Sequence, residues 1–420
     1  MDINKRIRKI FKKSDAEIPD DGLLEEIVED LKYEHLSDEE LEADRKRVAR
    51  KKVIKIALVL IVLLAIVLSI FYFIDTTTYK KVNVEASVKL SDSGNSNIGY
   101  DYFYSEIIRY SREGISLIDK NGDEDWNQAY SMNNPTFEKS KTFAIVYDKS
   151  GTKVELLDKN GLVKEYNTKN SIAKAKVNEA GYVVTLEKVT DGFQIICYNT
   201  MGDVLASLTP DMQEIGYPID GALSVDKETL VVSYMYVDNG TISSKVKYYN
   251  FGKLGDSKVN NEVFSKNYKG LLIGEVTFVS NKRVLLLGDK RFIINSGVKT
   301  IKEVANVKIP LNIKSEAVDG NNIVLLLKNK DKSGYRLNIY NRKGSLVHSR
   351  DIVRDYENFD LVDGKVLLYQ DKDFYVLSTS GYVKFNGSLP DATKCIYPVF
   401  GVNKYISVTN EGIEQLLLTK

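Results

Sequence analysis

Residues 144–166 read AIVYDKSGTKVELLDKNGLVKEY. Three short alternating strands stand here, AIVYD, KVELL and LVKEY, joined at Lys149-Ser150-Gly151 and at Asp158-Lys159-Asn160-Gly161. Period-two alternation buries one side of a strand. Asn-Gly supplies the left-handed backbone that a tight hairpin demands. The same strand-and-turn phrase recurs along the chain. ISLIDKNG ends at Gly122, VELLDKNG at Gly161, IICYNTMG at Gly202, VKYYNFG at Gly252, FIINSG at Gly297, LNIYNRKG at Gly344 and FYVLSTSG at Gly381. Successive glycines lie 37 to 50 residues apart. That period, with several short strands inside it, is the signature of a β-propeller.

The neighbouring segments complete the unit. IAKAKV from Ile172 and YVVTLEKV from Tyr182 open the next repeat, so each unit holds four strands. Val318-Asp319-Gly320 and Val362-Asp363-Gly364 mark one inner turn in two later units. At the C-terminal end come CIYPV from Cys395, YISVT from Tyr405 and IEQLLLT from Ile413, and the unit stops one strand short. A spare strand, VNVEASVKL, stands at Val82 to Leu90. Pairing it with the last strand closes the ring and leaves no open edge. The expected class is therefore all-β, an eight-bladed propeller of four-stranded blades preceded by one transmembrane helix. Seven blades is the nearest alternative, because the stretch from Gly252 to Gly297 is irregular. A solenoid or a string of sandwiches is the weaker architecture. The 26 Tyr residues suit strands.

IALVLIVLLAIVLSIFYFI, from Ile56 to Ile74, carries no charge. Its 19 residues at about 1.5 Å each span the hydrocarbon core of a bilayer. Seven cations lie between Arg45 and Lys55, whereas Lys80 and Lys81 are the first beyond the span. The positive-inside rule then puts the N-terminus in the cytoplasm and the propeller outside. No small-x-small cleavage site follows, so the segment reads as a signal anchor. The expected division is a cytoplasmic arm at 1–52, an anchor at 53–74, a linker at 75–81 and a propeller at 82–420.

Net charge is +1 over 420 residues, which argues against bulk-charge recruitment to nucleic acid. The average conceals blocks: the first 14 residues are basic, and residues 15–44 hold fourteen acids against Lys32. Ile3, Ile7, Ile10 and Phe11 fall at helical spacing among Lys5, Arg6, Arg8 and Lys9. Such a helix suits anionic lipids; the plainer alternative is a solvated tail. Leu23, Leu24, Ile27, Val28 and Leu31 form an apolar stripe too small to bury a core alone, which suits a cytosolic partner or the neighbouring basic helix. Ser37 with Glu40 opens a helix that runs toward the membrane.

Catalytic chemistry is sparse. With 2 Cys and 2 His, disulfide scaffolds and His- or Cys-rich zinc sites are excluded. Asp119, Asn121, Asp123 and Asp125 alternate like calcium ligands, but Gly122 is misplaced for an EF-hand, and a hairpin turn explains them better. Asp211, Glu214, Asp220, Asp226 and Glu228 are scattered carboxylates, normally solvated. Trp126, the single Trp, reads as packing near a blade edge. Cys197 and Cys395 fall in different blades, too far apart to bridge, and are expected buried and free. His35 and His348 lie on opposite sides of the membrane. Asn239-Gly240-Thr241 and Asn386-Gly387-Ser388 match a glycosylation pattern that chance supplies in an Asn-rich chain. No catalytic, cofactor-binding or metal residue is nominated.

The charged arm, the flank LVLIVLLAIVLSIFYFID and the LIDKNG and LLDKNG turns together resemble a family of uncharacterised single-pass membrane proteins of clostridial and related Gram-positive bacteria. The ectodomain is similar in general form to quinoprotein-like propellers that act as binding scaffolds in cell-envelope machinery, whereas the Trp-rich blades of quinone-dependent dehydrogenases are not matched by a chain with one Trp. The resemblance implies a propeller outside the cell and carries no activity. The leading expectation is a non-enzymatic scaffold for cell-envelope proteins or glycans. A ligand sensor is the second expectation. An envelope enzyme is the third, and it requires several acids to converge on the central channel.

Overall fold

The computed structural model describes residues 38–90, 97–330, 333–399 and 401–420. The basic helix at Lys5 to Lys9, the stripe at Leu23 to Leu31, His35 and Ser37 lie outside these residues. Two units are present, one ending at Ile74 and one beginning at Asp75.

Helix α1 runs from Asp38 to Thr76 and makes up the described part of the first unit as far as Ile74. Its segment Lys46–Thr76 is long and apolar enough to cross a membrane and buries none of its apolar window in protein. The Ser69 hydroxyl donates to the Ala65 carbonyl at 2.8 Å, so this polar group is satisfied inside the helix.

The second unit is an eight-bladed propeller. Thirty-two strands, β1 (Lys81–Lys89) to β32 (Gly412–Thr419), form eight four-stranded antiparallel sheets. Blades 1 to 7 each use four consecutive strands and begin at Gly99, Pro135, Ser171, Tyr217, Ile273, Asn312 and Asn358. Blade 8 takes three strands from Thr393 to Thr419 and borrows β1 as its outer strand. Lys81 pairs with Thr419 and Lys89 with Gly412, which closes the ring. Within each blade the first strand faces the axis and the fourth faces outward. The irregular stretch after Gly252 is one long turn of blade 4 with a single 3-10 turn at Val259–Asn261, and the blade count stays at eight.

The core lies between blades. Ile145, Leu156, Val183 and Ile196, for example, fill the space between blades 2 and 3. Middle strands are covered on both faces, which is why they read as unbroken apolar runs such as IVLLLK.

The recurring turn has one architecture. Asp119, Asn199 and Asn341 each accept backbone N–H groups two and four residues on, as in Asn199 Oδ1 with Met201 N at 2.8 Å and Asp203 N at 2.9 Å. Asp119 thus spends its carboxylate on its own turn, and neutral Asn does the same elsewhere. The turn glycines are left-handed, with φ of 83° at Gly122, 81° at Gly202 and 83° at Gly344. They also touch the preceding blade: a Cβ at Gly344 would stand 2.6 Å from Ala305 Cβ, and one at Gly161 would stand 3.3 Å from the Trp126 ring. One residue of each outer strand then bulges out of register, from Glu85 in β1 to Lys384 in blade 7.

Candidate functional site: the axial channel

Side chains from the first strands meet at the axis. Lys176, in the first strand of blade 3 (Ser171–Val177), reaches past blade 4 to blade 5. Its ammonium donates to Asp220 Oδ2 and to the Val276 carbonyl, both at 2.9 Å, and lies 3.8 Å from Glu275. Lys174 pairs with Asp220 Oδ1 at 2.7 Å. The Val276 N–H also donates to Asp220 Oδ2, at 2.7 Å. Asp220 is fully buried, so its charge is held by two ammonium groups and one amide. Glu138 of blade 2 and Glu316 of blade 6 complete this half of the ring.

Electrostatics sets their protonation. Burial first, then the charge of Glu275 and a hydrogen bond to it, raise the Glu316 pKa to about 7, against the pull of Lys174 and Lys176. Burial also raises Glu138, with Asp220 and Glu275 adding to it and the two lysines opposing. For Lys176, burial works downward, but Asp220, Glu275 and Glu138 outweigh it and hold the ammonium above its ordinary value. Glu316, hydrogen-bonded to Glu275, therefore takes up a proton near neutrality.

The other half of the ring, from blades 1, 2, 7 and 8, is aromatic. Lys139 pairs with Asp101 and donates to the Tyr102 carbonyl at 2.6 Å. The Tyr102 and Tyr397 rings pack at a tilt of 32°, with centroids 5.2 Å apart. Asp360 accepts from the Tyr369 hydroxyl at 3.0 Å. Burial and then Asp101 raise the Asp360 pKa to about 6. The axis thus sets partly exposed donors and acceptors side by side, an arrangement that suits a polar ligand.

Of the five scattered carboxylates, only Asp220 reaches this site. Asp211 caps its own turn through Gln213 N at 2.8 Å, and Asp226 binds Glu228 N at 3.1 Å in an inner turn of blade 4. Glu138, Lys174, Lys176, Glu275 and Glu316 escaped the sequence reading. The signal was present in IAKAKV: two lysines two apart in an innermost strand must project toward the same side.

Other singled-out residues serve packing. Trp126 donates its indole N–H to the Lys159 carbonyl at 3.1 Å. Cys197 and Cys395 are buried and unpaired with each other. Burial pushes the Cys197 thiol up to about 12 and that of Cys395 well above its usual value, which makes both poor nucleophiles. His348 sits in the outer strand of blade 6, against Gly381, far in topology from the axis. Asn239 is at an exposed hairpin tip of blade 4, and Asn386 is in the outer strand of blade 7. Among the described residues no three His, Cys, Asp or Glu side chains are grouped to hold a metal ion.

Several solved structures align with this chain at low identity. BamB from Moraxella catarrhalis aligns over 80% of this chain and 100% of its own, at 10% identity and a TM-score of 0.48. Sqt1 from Chaetomium thermophilum aligns over 82% and 98%, at 12% identity and 0.47. The Dos1 propeller aligns over 82% and 95%, at 9% identity and 0.48. No curated protein matches the sequence. Residues 75–418, the propeller with its lead-in, match the model of the family of unknown function DUF5711, and the chain belongs to that family.

Proposed function

We propose that the chain is a binding scaffold of a Gram-positive cell envelope, with its arm in the cytoplasm and its propeller outside, where it holds protein or glycan partners. The observation that carries this reading is the charge step across the span: seven cations from Arg45 to Lys55 before it, and none after it until Lys80. A closed ring on a single tether supplies a rigid frame for variable loops, which suits docking. The arm adds two contacts on the inner side, anionic lipids at Lys5, Arg6, Arg8 and Lys9, and a cytosolic partner at Leu23, Leu24, Ile27, Val28 and Leu31.

Convergence of Glu138, Asp220, Glu275 and Glu316 supports a second reading, an enzyme that acts on an envelope polymer. Two features favour binding over that reading. Glu316 hydrogen-bonds Glu275, whereas the carboxyl pairs of glycosidases stand about 5 to 9.5 Å apart. Asp220 is already neutralised by two lysines.

The test is crosslinking of intact cells with a membrane-impermeant reagent, followed by capture of the full chain and mass spectrometry. The scaffold reading expects a reproducible set of envelope proteins or wall fragments. Capture of nothing from outside, with partners recovered only by a permeant reagent, overturns it.

A further inference from the structure

The two faces of the ring differ in apolar exposure. One face carries the turns between first and second strands and between third and fourth strands. The other carries the hairpins between second and third strands and the passages between blades. Exposed large apolar side chains on the first face outnumber those on the second by about three to one among the described residues. Val259 is 85% exposed and Met201 60%, with Val204, Leu205, Leu346 and Val347 beside turns of the same face. Opposite them stand chiefly Val237, Ile242 and Val353. Isolated exposed apolar residues are ordinary; a bias that runs round one face of a ring is not.

The chain itself reaches this same face. Between Ile74 and β1 lie only residues 75–80, and they are fastened down. The Thr78 hydroxyl donates to the Val383 carbonyl at 2.8 Å, Tyr79 N to Lys384 O at 2.7 Å, and Lys80 N to Thr419 O at 2.8 Å. Val383 and Lys384 open the outer strand of blade 7, and Thr419 ends β32, at the turns of the apolar face. Exposed Lys80, Lys120, Lys159, Lys299 and Lys343 occupy those turns as well, beside exposed Asp123, Asp203 and Asp256. Apolar groups interleaved with lysines are the composition of a surface that lies in a lipid interface.

We propose that this face of the propeller rests on the lipid surface of the membrane, with Val204, Leu205, Leu346 and Val347 among the side chains that enter the headgroup layer. The inference rests on the membrane-anchored reading above. It implies that the hairpins of the opposite face, with the tip at Val237 and Ile242, are the ones offered to partners.

The test uses the full chain in nanodiscs of phosphatidylcholine and phosphatidylglycerol. Single fluorophores are placed through Leu205→Cys, Val347→Cys, Val237→Cys, Val353→Cys and Leu63→Cys, the native cysteines being buried. Doxyl-labelled lipids serve as quenchers. Quenching at positions 63, 205 and 347 of at least about twofold, with none at 237 and 353, is expected. Quenching at 63 alone overturns the docked face and leaves the anchor standing. Absence of quenching at 63 overturns the anchor and the docked face together. Shielding of 205 and 347 from aqueous iodide without lipid quenching assigns the face to a protein, a second copy included, and also overturns the proposal.

Discussion

The rim and the axis of the ring are made by the same eight blades under different rules. At the rim, each outer strand carries one bulged residue, and turn glycines such as Gly122, Gly202 and Gly344 repeat one backbone geometry. At the axis, five first strands also bulge, yet the residues that follow the bulge are Lys174, Asp220, Glu275, Ser315 and Cys395. Repetition at the rim preserves blade packing. Divergence at the axis lets one shared scaffold carry a site of mixed charge that no single blade encodes.

The largest expected effect breaks the axis. Asp220→Ala removes the buried partner of Lys174, Lys176 and the Val276 N–H. It should cost about 3–5 kcal/mol, because it strands two ammonium groups and an amide at a site where Lys176 is only 21% exposed. Urea unfolding of the detergent-solubilised full chain measures it. A loss below about 1 kcal/mol would mean that the lysines reach solvent and that the axis is no more demanding than a surface pair.

The rim comes next. Gly344→Ala forces a side chain into a φ of 83° and against Ala305, for a loss of about 2–3 kcal/mol. Gly270→Ala has a φ of 64° but meets only Thr241 Cγ2 at 3.8 Å, so about 1 kcal/mol is expected. Equal losses at the two sites would show that backbone strain alone, and not contact with the preceding blade, makes the turn glycine necessary.

Between rim and axis lies Glu155, fully buried in blade 2, with neither carboxyl oxygen hydrogen-bonded. Burial, then Glu165, raises its pKa to about 7. A carboxyl with a raised folded pKa is tolerated when protonated at low pH. It costs stability progressively as pH climbs through its ordinary value toward 7, and the cost is complete above that. Glu155→Gln should therefore be more stable than the wild type by about 2 kcal/mol at pH 8 and nearly equal to it at pH 5. Buried Glu187 supplies the contrast, since it accepts from Thr185 and Tyr198 at 2.8 Å each.

The smallest effect sharpens the axis. Glu316 also has its pKa raised to about 7, and the sign is the same: wild-type stability declines as pH rises toward neutrality. Glu316 is an exposed position of its strand, so solvent screens it and Glu316→Gln should flatten the profile by less than about 1 kcal/mol. A pH titration of unfolding midpoints distinguishes it from Glu155→Gln by amplitude.

Most of the fold was legible because its signals are local. A strand needs five to seven residues, and an Asn-Gly turn needs two. Even the closure of the ring showed, as an unpaired strand at Val82 and a missing one after Ile413. The irregular turn after Gly252 obscured the count only until its flanking strands were paired. The site was not legible for the opposite reason. Glu138 and Glu316 stand on strands four blades apart, and each is one charged residue in an alternating strand, which looks like any solvated position. Only the register of the innermost strands turns them inward together.

Orientation across the membrane underlies both the proposed scaffold and the proposed lipid contact, and one labelling experiment tests it. The full chain carrying Val237→Cys is expressed in intact cells, with buried Cys197 and Cys395 left in place. A membrane-impermeant thiol reagent is expected to label it without permeabilisation. Labelling that appears only after the cells are opened would place the propeller in the cytoplasm and contradict the account.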